Sequence, residues 1–432
     1  FRKRLFFLNE SQKWSKYQHE KNQLYNLRKL YNYVKKNVPF YKDYFSGRKN
    51  FKIKTLDDLK KFPVIDKNFI KNNYKKFLSV KMKKDNTFSR TTGGSTGNPL
   101  TILSDLNFQI NDKANTFHYL SIFKKNIKKN KSVRLYGDKI PQQILRKKKY
   151  WYKKNQKQLI MSAFHINSSS IKSYVKVLQD FQPEYIHSRS SIMFLMASLI
   201  LKEQIKFNLK LENIFVDGEY LTSGQRKFIE KIFKCRLINI YGHTEGALVG
   251  FNCEFSNKMH FMPQNGIIEI LDSKNNNLKK EKSKGIITAT GFNNYMMPMI
   301  RYKTGDVASI GKKKCKCKRN YFFVDQVEGR LQDYVLDKKS NLIPLAPAIF
   351  NYNDMDWKKI ENYKVVQYQK GKIIIQVQLY LKTKNEREVL NTISKKLKKI
   401  LPNFIIKIQK VKKIERNTIG KQRYLDQKIK II

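Results

Sequence analysis

The chain has 432 residues, 41% of them hydrophobic and 13% aromatic. It is too long for one ordinary core and too apolar for a disordered chain, so two folded domains are the default. The formal net charge of +55 invites a binder of nucleic acid or of an anionic membrane surface, but the lysines run along the whole chain instead of forming one Arg-rich footprint.

The abundant Asn, Ile, Tyr and Phe share A/T-rich codons with Lys, so base composition accounts for much of the charge. No run approaches the ~18 apolar residues of a membrane helix. Ile192 to Ile200 is the longest candidate. The start, Phe1 to Leu8, is basic then apolar, but shorter in its apolar part than the ~7–15 residues of a signal core. A cytoplasmic enzyme is expected.

In chain order, 17–38 reads as a helix with Leu24, Leu27, Tyr31, Val34 and Val38 on one stripe, stopping before Pro39. Residues 67–78 read as a second helix. The stretch 101–103 suits a strand and 105–123 a helix, with Leu106, Ile110, Phe117 and Leu120 inward. Strands at 133–136, 184–187, 214–216 and 237–241 then alternate with helices at 169–181, 190–205 and 222–234. That rhythm predicts a mostly parallel sheet covered by helices, with ligands beyond the carboxyl ends of its strands. From 260 the pattern turns β-rich (266–271, 285–290, 307–310, 321–324), as in an antiparallel or barrel-like subdomain. The last hundred residues read as a small α+β unit: strands 363–369 and 372–381, helix 386–400, strand 404–412.

Four stretches carry chemistry. Ser89-Arg90-Thr91-Thr92-Gly93-Gly94-Ser95-Thr96-Gly97-Asn98-Pro99-Leu100 gathers three glycines among hydroxyl residues. Such a loop turns tightly and offers successive N–H groups to an anion. It is neither a Walker loop nor the dinucleotide fingerprint, and a plain Gly/Ser turn is the alternative. Asp217-Gly218-Glu219 and Tyr241-Gly242-His243-Thr244-Glu245-Gly246 each close a strand. A Tyr can stack on a purine, a Thr hydroxyl can reach a phosphate, and a Glu carboxylate suits Mg²⁺. Met299-Ile300-Arg301-Tyr302-Lys303-Thr304-Gly305-Asp306 puts an acid where it can accept two ribose hydroxyls, or simply make a turn.

These stretches, with Val327-Glu328-Gly329-Arg330-Leu331-Gln332-Asp333 and Arg416-Asn417-Thr418-Ile419-Gly420-Lys421-Gln422-Arg423, resemble in order the motifs of adenylate-forming enzymes. The closest likeness is the phenylacetate–CoA ligase branch and the related capsule-biosynthesis, CapK-like proteins, whose entry segment Asn37-Val38-Pro39-Phe40-Tyr41 also resembles. Asn98 stands where many relatives carry Lys, and the usual Pro before the closing motif is absent.

The resemblance implies an α/β fold: a large adenylation domain over 1–330 and a small mobile α+β domain over 331–432. It implies that Thr92, Gly93, Gly94, Ser95, Thr96 and Gly97 cradle phosphates, with Thr244 beside them. Glu245 binds Mg²⁺; Tyr241, Gly242, Gly218 and Glu219 flank adenine; Asp306 holds the ribose. Arg330 touches ribose or phosphate, Asp333 is the hinge, and Lys421 stabilises the adenylation transition state. ATP would activate a carboxylic acid, and the acyl group would pass to coenzyme A or to an amine or hydroxyl on a glycan precursor. The open alternative is a non-catalytic or charge-driven binder on the same fold.

The four cysteines are Cys235, Cys253, Cys315 and Cys317. Cys253, His260, Cys315 and Cys317 could form a closed structural Zn²⁺ set. Reduced thiols at a surface turn are the alternative. Cys235 reads as an ordinary core cysteine, and His187, which could line the acyl pocket, reads rather as a satisfied buried histidine.

Overall fold

The computed structural model describes residues 1–432 except 48–50, 83–85, 93–99, 124–129, 139, 312–314, 331–333, 340–341, 345–358, 381–382, 384, 416–424 and 430–432. Two compact units divide the chain: Phe1–Ile127 with Asn239–Glu328, and Lys128–Ile238 with Gly329–Ile432.

The first unit begins with helix Arg2–Ser11 and helix Lys16–Asn37. Ser15 and Gln18 start the second of these with a reciprocal capping box, which satisfies two N–H groups that the helix itself cannot. Its stripe Leu27, Leu30, Tyr31 and Val34 is buried. The helix stops before Pro39, as expected, and Pro39 then opens a new helix, Pro39–Ser46, at whose first position its missing N–H costs nothing. The expected helix 67–78 is instead α-helix Lys67–Asn72 followed by the 3₁₀ turn Tyr74–Phe77. Helix Leu106–Phe123 forms as read, but Leu106 is 53% exposed and Phe108 faces inward.

The β-rich part of this unit is antiparallel. Gly266–Leu271 pairs with Lys284–Gly291, which pairs with Tyr302–Ile310. Phe322–Arg330, Met259–Phe261 and Val249–Asn252 continue in the same sense, and Val249–Phe251 lies against Ile240–Gly242. Side chains from these strands and from the N-terminal helices share one core, including Leu27, Tyr41, Phe62, Phe261 and Tyr302.

In the second unit, strand Ser132–Tyr136 runs parallel to Gln158–Ser162 on one side and to Tyr185–Ser188 on the other. Tyr185–Ser188 in turn runs parallel to Asn213–Asp217. Trp151–Asn155 closes the edge in the antiparallel sense, a hairpin the sequence reading missed. Helices Ile171–Phe181, Ser190–Lys202 and Ser223–Phe233 pack their apolar faces on these strands. Ile171, Tyr174, Val175, Leu178 and Phe181 are all buried, each large apolar side chain worth about 1.5–3 kcal/mol. Toward the end, Ile405–Lys410, Lys372–Leu379, Ile360–Gln369 and Leu425–Gln427 form a four-stranded sheet with helix Glu386–Ile400. The fold class is α/β, with parallel strands covered by helices, a β-rich part and a C-terminal α+β part.

Among the described residues, no helix is long and apolar enough to cross a membrane.

Candidate active site

In the first unit, the end of strand Arg236–Gly242, from Asn239 on, delivers Tyr241 and the loop that follows it. Gly242 is exposed and Thr244 half-buried. Glu245 is 7% exposed. Tyr302 donates its hydroxyl to Glu245 Oε1 at 2.5 Å, and His243 Nδ1 lies 3.1 Å from Oε2. Both carboxylate oxygens are therefore fixed. Burial pushes the Glu245 carboxyl up, but the bonds from His243 and Tyr302 outweigh it and hold the group at about 2. It is an ionised, preoriented acceptor, the form a hard cation takes. Gly246 follows with φ +67, and a Cβ there would stand 2.2 Å from the Phe108 ring. Only glycine lets the loop close on that helix.

Asp306 does not open a strand, as the sequence suggested. It lies inside Tyr302–Ile310, where Gly305 turns through φ +80. Thr304 Oγ1 accepts from the Asp306 N–H at 3.1 Å and donates to Ile287 O at 3.0 Å, which pins this kink. Tyr241 donates its hydroxyl to Asp306 Oδ2 at 2.7 Å. The residue expected at adenine and the residue expected at ribose thus touch.

Arg301, just before Tyr302, is buried at φ +50 and forms a two-armed pair with Glu269, 3.0 Å on each arm. Its Nη1 also donates to Lys60 O and Phe62 O. Thr92 is buried and clasps Leu100 twice: its N–H donates to Leu100 O, and its Oγ1 accepts from Leu100 N. That clasp closes the base of the glycine-rich stretch. Gly93, Gly94, Ser95, Thr96 and Gly97 lie outside the described residues, as do Asp333 and Lys421; Arg330 is described only as the end of its strand.

Cys253, His260, Cys315 and Cys317 come together as expected. Their ligand atoms all lie within 4.8 Å of one another. Cys253 Sγ is 3.5 Å from Cys315 Sγ, and Cys317 Sγ is 3.5 Å from His260 Nε2. A zinc ion with Zn–S bonds of about 2.3 Å needs ligand spacings of roughly this size. His260 Nδ1 donates to Lys258 O at 3.1 Å, which turns Nε2 toward the thiols. Hydrogen bonds from Cys317 and Ser256 hold the Cys253 thiol well below its ordinary range, toward the thiolate a metal takes. Cys235 stands apart in the second unit, where burial pushes its thiol up to about 12.

In the second unit, Gly218 is exposed at φ +68. Glu219 is not a free carboxylate: it accepts from Ser191 N at 2.9 Å, Ser191 Oγ at 3.0 Å and Ser190 Oγ at 3.2 Å. It thereby caps helix Ser190–Lys202. His187 is partnered, as read, with its Nε2 3.0 Å from Asp217 Oδ2.

Sequence reasoning gave no role to Tyr302 and set His243 aside, though both stand inside the quoted motifs. Neither the Arg301–Glu269 pair nor the partner of Glu219 leaves a signal in spacing, because each joins residues far apart in the chain.

The fold is that of the acyl-CoA ligases. 2-Hydroxyisobutyryl-CoA ligase, solved in the postadenylation state, superposes with a TM-score of 0.72 at 16% identity, covering 94% of this chain and 89% of that one. No protein-family model matches the chain. Protein CapK of Staphylococcus aureus is 30% identical over 421 residues, which span 93% of this chain and 87% of that protein. A phenylacetate–CoA ligase of Thermus thermophilus is 24% identical over 333 residues, 74% of this chain and 72% of that protein. The chain belongs to the adenylate-forming ligases, in the branch that holds CapK and the phenylacetate–CoA ligases.

Proposed function

We propose that this ligase joins a carboxylic acid to the AMP moiety of ATP and then passes the acyl group to coenzyme A or to an amine or hydroxyl acceptor. The observation that carries the reading is Glu245, ionised and held on both oxygens by Tyr302 and His243. A buried carboxylate fixed this way is preorganised for a cation at phosphate, and Mg²⁺ bound there would neutralise charge on the phosphate oxygens.

The acid's carboxylate attacks the α-phosphorus, the bond to the β-phosphate oxygen breaks, and pyrophosphate leaves. No protein nucleophile is needed; the chain positions the partners and excludes water. Thr244, Thr92 and the stretch Gly93, Gly94, Ser95, Thr96, Gly97 hold phosphates. Tyr241 flanks adenine with Gly242, Gly218 and the backbone of Glu219, whose carboxylate is committed to Ser190 and Ser191. Asp306, oriented by Tyr241, holds the ribose. Residues 331–432 act as the small mobile domain on 1–330, with Asp333 as the hinge, Arg330 touching ribose or phosphate, and Lys421 brought to the α-phosphate.

Cys253, His260, Cys315 and Cys317 hold a structural zinc, since four protein ligands leave no open position for chemistry. We also propose a cytoplasmic role in making a surface polysaccharide, with a glycan precursor as acceptor, which is what the resemblance to the CapK-like proteins implies. Carboxylate-dependent exchange of pyrophosphate into ATP, lost in Glu245→Ala, tests the central reading.

A further inference from the structure

We infer that Arg189 is a substrate-binding residue that takes an anionic oxygen pair, a carboxylate or a phosphate. Arg189 follows strand Tyr185–Ser188 and occupies the N-cap position of helix Ser190–Lys202, where its side chain makes no capping hydrogen bond. It stands at the carboxyl ends of parallel strands, where open α/β sheets bind ligands. Its side chain is 16% exposed. Yet among the described residues it meets no hydrogen-bond acceptor, and its Nε is fully buried without a partner. Its one ion pair is loose, 4.0 Å to Asp217 Oδ1.

Both neighbouring acids are already engaged. Asp217 holds His187 at 3.0 Å, and Glu219 caps the helix through Ser190 and Ser191. The helix N-terminus therefore has its anion and does not account for the arginine. A buried guanidinium N–H left without an acceptor, as at Arg189 Nε, is costly unless something binds it.

The surroundings hold it ready. Its Cζ lies 5.4 Å from the centroid of the Tyr136 ring. Gly218, at φ +68, leaves the space for it: a Cβ there would stand 2.2 Å from Nη1. The planar fork that results matches two coplanar oxygens, as in a carboxylate or a phosphate. Under the adenylation reading, on which this inference rests for its two sources, the oxygens belong to a second acidic group on the acid or to a phosphate of the nucleotide.

Calorimetric titration of the whole chain needs no turnover and separates these. The ligands are ATP, adenosine, glutarate and butyrate, against wild type, Arg189→Met and Arg189→Lys. A tenfold or greater loss for ATP in Arg189→Met, with adenosine unchanged, assigns a phosphate. The same loss for glutarate, with butyrate unchanged, assigns a carboxylate on the acid. Arg189→Lys should recover part of either loss. Affinities within twofold of wild type for all four ligands, a uniform fall across all four, or no binding to wild type overturns the inference. Failure of wild type to exchange pyrophosphate with any acid would count against adenylation while leaving a selective shift in these titrations intact.

Discussion

Tyr302 donates its hydroxyl to Glu245 Oε1 at 2.5 Å, one residue after the buried Arg301 that clamps Glu269. One short segment therefore ties the carboxylate of the proposed cation site to the core of its unit. Tyr302→Phe removes a hydrogen bond to a charged acceptor, worth about 1.5–3 kcal/mol. The Mg²⁺ concentration for half-maximal pyrophosphate exchange should rise roughly tenfold or more, and the melting temperature should fall with it, because a buried carboxylate loses a donor. An unchanged Mg²⁺ requirement would detach Tyr302 from the site.

Glu245 also sets a pH dependence. Its folded carboxyl is depressed from 4.5 to about 2. A group depressed on folding contributes stability that is present above its unfolded value and lost as pH falls through its folded one. The contribution is on the order of 3 kcal/mol, lost between pH ~4.5 and ~2. Urea melts across that range should show Glu245→Gln with a shallower acid slope than wild type. Identical slopes would mean that Glu245 is not held ionised.

Arg301→Met should be among the more damaging single changes in the first unit. Glu269 would stay buried without its partner, and the carbonyls of Lys60 and Phe62 would lose their donor. Breaking a buried pair from one side costs about 3–5 kcal/mol. Denaturant titration reads this directly. A loss under about 1 kcal/mol would show that water replaces the guanidinium.

Elements with strong periodicity were legible in the sequence. Helix Lys16–Asn37, helix Ile171–Phe181 and the parallel strands formed within a few residues of expectation. What periodicity could not give was side-chain commitment. Glu219 reads as a free acid at a strand end, yet the hydroxyls and N–H of a helix start consume it. Asp306 reads as the start of a strand because Thr-Gly signals a turn, but the turn is a kink inside one continuous strand. Leu106 fits the helical stripe, but sits at the first position of its helix, where Phe108 fills the core instead. The Cys and His set was legible because its residue types have few other reasons to recur so closely.

The metal reading makes a compositional prediction. Protein purified without chelator should carry about one zinc per chain by mass spectrometry of metals. Cys253→Ser and Cys317→Ser should each lose it and melt lower, whereas Cys235→Ser should keep it. Metal-free wild type with the same melting temperature would leave the four residues as packed thiols.

The most direct measurement is carboxylate-dependent exchange of labelled pyrophosphate into ATP across a panel of acids, run with wild type, Glu245→Ala and Lys421→Ala. The account predicts exchange with at least one acid, lost or reduced by a hundredfold or more in both variants. Exchange that persists at wild-type rate in Glu245→Ala, or wild type that binds ATP yet exchanges with no acid, would contradict it.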